Sequence, residues 1–289
     1  PALSPRGDLL AFITNKNLYF DIVLVSATDG RPLGKLASGE INPNFEQLKI
    51  LTPNLTWSPD GRTVAVATYG KGEDAIMLID ARTRRTRRIP IRGVSIFSVD
   101  WSPKGNQIAF MGLQQYRSDI WIYDLDTGQL RNLTDDVFSD MDPAWSPDGR
   151  YIVFSSDRGQ FLEPARYGER FSMFAYNPQQ LDLYRIEVAT GRIERLTSTP
   201  YADETRPQFG ADPDRILYIS DRNGIYNVWE LNLQTRQERP ITNVLTGIRQ
   251  ISVSNDGSRM AMAALREGYL DIFIMNSPFT RRTAEGAYR

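Results

Sequence analysis

Trp57-Ser58-Pro59-Asp60-Gly61, Trp101-Ser102-Pro103-Lys104-Gly105 and Trp145-Ser146-Pro147-Asp148-Gly149 stand 44 residues apart, and that pitch decides the fold. Weaker copies hold the same frame at Phe209-Gly210-Ala211-Asp212 and Val253-Ser254-Asn255-Asp256-Gly257, and the first begins at Leu3-Ser4-Pro5-Arg6-Gly7. That makes six. The last interval is again 44 residues, whereas the first is 54 and the fourth is 64, so two copies carry insertions on an otherwise constant period.

One copy read in full gives the unit. Ala144-Trp145-Ser146 leads into a turn, then Tyr151 to Ser155, Asp182 to Ile186 and Glu194 to Thr197 follow, each short, alternating and rich in β-branched and aromatic residues. This is the pattern of four half-buried strands, and no segment keeps a helical period over three turns. In the Pro-Asp-Gly turn, Pro presets the second position and Gly takes the left-handed one without steric cost, which closes a tight hairpin between first and second strands. A second turn recurs as Asp126-Thr127-Gly128, Ala189-Thr190-Gly191 and Ala27-Thr28-Asp29-Gly30. A four-stranded unit of this size cannot bury both faces alone, so the copies must stack. The expected fold is all-β, a six-bladed β-propeller of four-stranded antiparallel blades forming a single domain over 1–289. The aromatic at the head of each unit (Trp57, Trp101, Trp145, Phe209) is expected between adjacent blades, and Phe279 to Thr283 is the candidate fourth strand of the last.

Composition narrows the chemistry. The chain contains no histidine and no cysteine, which removes the Ser-His-Asp triad, Cys-His catalysis and the usual ligands of zinc, haem and iron–sulfur sites. No enzymatic activity, cofactor or metal is therefore expected, apart from a weak case for Ca²⁺ on carboxylates; no Asp-x-Asp-x-Asp-Gly loop is present. A formal net charge of −1 gives no field for nucleic acid, and no apolar run approaches a transmembrane span. Because the sequence opens on Pro1 within a strand pattern, it is expected to be part of a longer protein or a mature form lacking its leader.

The Trp-Ser-Pro-Asp-Gly turns, together with Phe154-Ser155-Ser156-Asp157-Arg158-Gly159 and Asp182-Leu183-Tyr184, resemble propeller repeats of the TolB type. Related repeats occur in the gating propellers of prolyl-oligopeptidase-type peptidases and of tricorn protease. The resemblance covers nearly the whole chain. It implies a periplasmic or cell-envelope module that binds a protein or peptide without catalysis, or alternatively a propeller that gates substrate for an enzyme domain elsewhere. A third reading, a carboxylate-based glycosidase or lyase, would need two acids converging on a substrate.

The insertions direct the search for a site. The longer, Gln160 to Gln180, lies between second and third strands of blade four; the shorter, Ser38 to Asn54, joins blades one and two. In an up-and-down blade both kinds of link emerge on one rim. The longer carries Phe161, Tyr167, Phe171 and Tyr176 with Arg170, which suits a contact loop; the alternative is that these aromatics tuck against the propeller's own surface. On the same rim the links 135–142 and 201–206 bring Asp140, Asp142, Asp203 and Glu204 together with Arg206. These acids either form a funnel that receives a basic segment or accept hydrogen bonds from neighbouring backbone. The arginines Arg82, Arg84, Arg85, Arg87, Arg88 and Arg92 lie on or beside the outermost strand of blade two, where positive side chains guard an exposed edge.

Overall fold

Each repeat folds into one antiparallel sheet, strand after strand in chain order. The structure, a computed structural model, describes residues 1–15, 20–38, 47–48, 54–163, 177 and 179–282. Blade one comprises Ala2–Leu3, Leu9–Thr14, Asp21–Ser26 and Pro32–Ala37, and blade two Leu55–Trp57, Thr63–Gly70, Glu73–Asp80 and Thr86–Ile91. Blade three is built from Ser95–Trp101, Gln107–Gln114, Arg117–Asp124 and Leu130–Asn132; blade four from Asp140–Trp145, Tyr151–Ser156, Asp182–Glu187 and Ile193–Arg195. Blade five holds Glu204–Phe209, Arg215–Ser220, Asn227–Asn232 and Glu238–Pro240. Blade six has Ile248–Val253, Arg259–Arg266 and Tyr269–Asn276, three strands among the described residues. The first strand of each blade touches the first strand of the next, and Ala2–Leu3 touches both Leu55–Trp57 and Ile248–Val253, so six blades close a ring.

The repeated aromatic does what its position requires. Trp57 is buried among Ala2, Ala11, Ile22 and Leu24 of blade one, Trp101 packs on Ala65 and Ala67 of blade two, and Trp145 lies with Ala109, Ile120 and Ile122 of blade three. Phe209 meets Val153 and Leu183 of blade four. Each blade therefore buries the apolar face its neighbour could not cover alone. The residue just before the head position of the repeat adds a polar stitch between blades: Thr56 Oγ1 accepts from Trp101 N (3.1 Å), Asp100 Oδ2 from Trp145 N (2.7 Å) and Ser252 Oγ from Leu3 N (2.9 Å). The last bond joins blades six and one by the same contact used within the series.

The hairpin turns follow their chemistry. In blade two, Ser58 Oγ donates to Asp60 (2.5 Å) and accepts from Thr63 N (2.9 Å), while Gly61 sits at φ 70° and donates its N–H to the Ser58 carbonyl. Ser146 and Asp148 repeat the arrangement in blade four, as do Ser254 and Asp256 in blade six. On the outer strand of blade two, Arg88 pairs with Glu73 at 2.9 Å and donates to the Gly70 carbonyl at 2.6 Å.

Among the described residues one expected strand is absent. Where Phe279 to Thr283 was expected to complete blade six, Pro278–Thr280 forms a 3-10 turn. Ser277 enters it with a left-handed backbone (φ 51°), and Pro278 has no N–H to give to a ladder. Phe279 turns towards blade five instead: its ring packs so closely on Gly210 that a Cβ there would lie 2.5 Å from it. Its carbonyl accepts from Arg215 (2.5 Å) and Arg239 (2.7 Å). The first and last described strands lie in adjacent blades, as the closed ring requires.

Candidate functional site: the channel mouth and its rim

The two ends of the ring are built differently. At one end stand the hairpin turns of the repeat; at the other stand the links between second and third strands and the links between blades. Both insertions are rooted at the second end. Gln47–Leu48, within the shorter one, pairs with Thr68 and Tyr69 at the far end of Thr63–Gly70. At the return of the longer one, Leu181 N donates to Asp203 Oδ1 (3.0 Å) and the Leu181 carbonyl accepts from Glu204 N (2.8 Å).

Between the ends runs a central cavity of about 340 Å³, walled by the first strands of all six blades. Asp100 faces it, held by Thr56 Oγ1 (3.2 Å) and Trp145 N. Desolvation by the surrounding wall pushes the Asp100 carboxyl up to about 7, more than these hydrogen bonds pull it down. A second, small cavity of about 10 Å³ is lined by Asn54, Asp142, Arg206 and Gln250. Asp142 and Arg206 occupy equivalent places in blades four and five. Each lies in an irregular step of its first strand, each has φ 53°, and their charged groups approach to 3.9 Å. Left-handed non-glycine residues at strand bulges cost conformational energy and re-aim side chains, here towards the channel mouth.

The acids of the rim do not form an open funnel. Asp140 is buried and binds Arg158 through both oxygens (2.7 and 2.6 Å), and the same guanidinium reaches Asp136 (3.0 Å) and Ser156 Oγ (3.1 Å). Arg158 is itself wholly buried, with Phe138, Phe154 and Tyr184 rings at 5.3 to 5.6 Å. Blade five repeats the design with partial exposure. Arg222 binds Glu204 (3.0 Å), Tyr218 Oη (2.8 Å) and Glu238, and stacks on Trp229 at 4.4 Å. Burial pushes the Asp136 carboxyl upward, the charge of Asp140 adds to the shift, and Arg158 opposes it; burial likewise pushes Glu204 up to about 7 against the pull of Arg222. The carboxylates of Asp119, Asp136 and Asp140 come within 4.8 Å of one another, but Arg158 already lies against Asp136 and Asp140. A Ca²⁺ ion there would meet that positive charge.

Sequence reasoning missed the two arginines, although the signal was present: Ser156-Asp157-Arg158 and Ser220-Asp221-Arg222 stand 64 residues apart, the same offset as the motif turns of these two blades. Asp157 and Asp221 fill matching roles, accepting from Ser139 N and Asp203 N at 2.8 Å each. Of the expected contact residues, Asp142 and Arg206 meet at the mouth and Asp203 is half-buried beside the root of the longer insertion. Asp140 and Glu204 are withdrawn into ion pairs. Phe161 stacks on Phe138 with ring centres 5.6 Å apart, so this aromatic tucks against the blade. Tyr167, Arg170, Phe171 and Tyr176 lie outside the described residues.

What the rim does present is apolar. Tyr116, Tyr201 and Leu245 are strongly exposed and Leu162 less so; the four come from separate links on this rim, spread over blades three to six. Among the described residues, the opposite rim exposes Leu130, beside the Asp126-Thr127-Gly128 turn, about as far as Leu162 and much less than Tyr116, Tyr201 or Leu245.

A family model described as the TolB beta propeller domain matches residues 44–161. No protein of curated function matches the sequence. Among solved structures, TolB from Acinetobacter baumannii is similar with a TM-score of 0.72 at 20% identity, over 95% of this chain and 62% of that one. The chain thus spans less than two thirds of that TolB. Oligogalacturonate lyase from Vibrio parahaemolyticus gives a TM-score of 0.59 at 12% identity, over 97% of this chain and 74% of its own. Tricorn protease gives 0.58 at 17% identity, over 98% of this chain and 30% of its own. The architecture is a TolB-like six-bladed β-propeller, shared with proteins of different activities.

Proposed function

We infer that the chain is a non-catalytic binding module of a bacterial envelope that takes a protein or peptide on its insertion rim. The observation that carries this reading is the uneven exposure of apolar residues: Tyr116, Tyr201 and Leu245 strongly, and Leu162 to a lesser degree, are exposed in links on the rim where both insertions are rooted. Interfaces draw their affinity from such aromatic and aliphatic anchors, with charge in a supporting role. The buried carboxylates argue the same way. Asp140 and Glu204 are held by Arg158 and Arg222, so these two do not stand as the free acid pair a glycosidase needs. The absence of histidine and cysteine from the sequence removes the common nucleophilic routes. Two of the four acids expected to steer a basic segment are thus neutralised, and binding should depend on salt only weakly. The loops 38–54 and 160–180 would add contact area beside these anchors, with Phe171 and Tyr176 as candidate contacts.

The test is to select peptides from a random display library on the whole chain and map the tightest by hydrogen exchange. Protection should appear in the links around 114–117, 161–163, 199–203 and 243–247. A footprint on the hairpin turns of the opposite rim, or hydrolysis of the selected peptides by the purified chain, would contradict the reading.

A further inference from the structure

The link between second and third strands of blade five contains Asn223-Gly224, the single Asn-Gly step of the sequence. Both residues are exposed, in a turn where Gly224 has φ 81° and donates its N–H to the Asp221 carbonyl (2.6 Å). Nothing lies within 4 Å of where a Cβ on Gly224 would stand. Among the described residues the Asn223 carboxamide has no hydrogen-bond partner. It is therefore able to swing over the amide nitrogen that follows it, and no side chain on Gly224 shields that nitrogen.

Four Asp-Gly steps supply the contrast. Asp60 accepts from Ser58 Oγ (2.5 Å) and Arg62 N (3.0 Å), and Asp148 from Ser146 Oγ (2.5 Å) and Arg150 N (3.0 Å). Asp256 accepts from Ser254 Oγ (2.6 Å) and Ser258 N (2.9 Å), and Asp29 from Arg31 N (3.1 Å). Hydrogen bonding, that of Ser58 first, holds the Asp60 carboxyl below its ordinary value, so at neutral pH it is a pinned carboxylate and a poor electrophile. The glycine N–H is engaged in both kinds of turn, since Gly61 N donates to the Ser58 carbonyl at 2.8 Å, and so does not separate them. The side chain does: an untethered neutral amide at 223 stands against tethered acids elsewhere.

We propose that Asn223 is a site of spontaneous covalent modification in the folded protein, losing its amide to become aspartate or isoaspartate. The Gly224 backbone nitrogen, giving up its proton to water, attacks Asn223 Cγ; a ring-closing N–Cγ bond forms, the bond from Cγ to the amide nitrogen breaks, and ammonia leaves. Water then opens the succinimide. Hydrolysis of the new N–Cγ bond restores the ordinary backbone as aspartate, whereas hydrolysis of the original peptide bond leaves the chain routed through Cγ as isoaspartate. In sum one water enters and one ammonia departs, with no change of oxidation state. Asp221 accepts from Asp203 N (2.8 Å), which ties this link to the one carrying Tyr201, and a Cβ on Gly247, in the link carrying Leu245, would stand 3.9 Å from Ile225. The new negative charge thus arises on a link flanked by those two, one residue from Arg222, whose guanidinium already faces Glu204 and Glu238.

The whole chain, kept folded in mildly alkaline buffer at physiological temperature and followed by peptide mapping with mass spectrometry, tests this. The peptide holding Asn223 should gain the mass that exchanges NH2 for OH and split into two products, one of them a substrate for an isoaspartyl methyltransferase. This should happen before any other asparagine changes, while the Asp-Gly turns stay free of isoaspartate. Asn223→Gln should abolish the change, because its larger ring closes far more slowly, and Gly224→Ala should slow it. An Asn223 that stays intact in the folded chain, or changes only once the chain is unfolded in urea, overturns the proposal. Amide loss no faster there than at the exposed Asn276 overturns it equally.

Discussion

The two rims of this ring are made from the same repeats and have diverged in opposite ways. On the hairpin rim, Ser58-Asp60, Ser146-Asp148 and Ser254-Asp256 form near-identical turns, each with a left-handed glycine. On the insertion rim the links differ in length, two arginines are buried against acids, two left-handed residues aim into the mouth, and aromatic side chains stand in solvent. Repetition marks the rim whose task is to close hairpins; departure from it marks the rim where recognition is expected. A scaffold of stacked blades allows this because links are extra to the core that stacking buries.

The largest effect should come from the buried arginine. Arg158→Met leaves Asp136 and Asp140 without their countercharge in a closed interior and should cost about 3–5 kcal/mol in chemical denaturation. Arg222→Met should cost less, because its guanidinium reaches solvent and Glu238 can hydrate. Equal losses at the two sites would show that the blade-four and blade-five networks are equivalent despite their different burial.

The channel offers a pH test. Asp100 is pushed up to about 7 in the folded chain, whereas an unfolded aspartate ionises near pH ~4. Between these values the folded state holds the proton more tightly, so its stability is fullest at or below the unfolded value and declines as pH rises towards 7. Glu204, also near 7, acts with the same sign. Urea midpoints should therefore rise on going from pH 7 towards 5, and Asp100→Asn should flatten that slope. A slope unchanged in Asp100→Asn would mean that the channel wall does not desolvate this carboxyl.

A smaller effect belongs to the hairpin rim. Gly61→Ala meets no clash, the nearest atom being Pro5 Cδ at 3.6 Å, but must hold φ near 70°. The left-handed backbone should cost about 1 kcal/mol, read from the shift in the denaturation midpoint, with rim binding of a selected peptide unaffected.

How much of this could be read beforehand depends on what a feature rests on. The blades, their order and the packing of Trp57, Trp101 and Trp145 follow from local pattern at a fixed pitch, and the structure repeats them. The fate of Asp140 and Glu204 does not, because a carboxylate on a link looks solvent-facing until the fold places an arginine 18 residues later beside it. The repeated Ser-Asp-Arg triplets carried that information, yet it becomes chemical only when strand pairing brings residues 140 and 158 together. Blade six failed for a local reason: Phe279 to Thr283 has strand-like residues, but Pro278 and the pocket over Gly210 favour a turn. The exposure of Tyr116 and Tyr201 has no sequence signature, since an aromatic in a link is as often tucked as displayed, and Phe161 is the tucked case.

The smallest effect on stability should accompany the largest on function. Tyr116→Ser combined with Tyr201→Ser removes two exposed side chains and should leave unfolding within about 0.5 kcal/mol of the parent. The affinity of one library-selected peptide for this double variant, beside its affinity for Gly61→Ala, tests the central claim most directly. The account predicts that binding falls at least tenfold in the tyrosine variant, as loss of central aromatic anchors does, and is unchanged in the hairpin variant. Undiminished binding to the tyrosine variant, or loss confined to the hairpin variant, would contradict it.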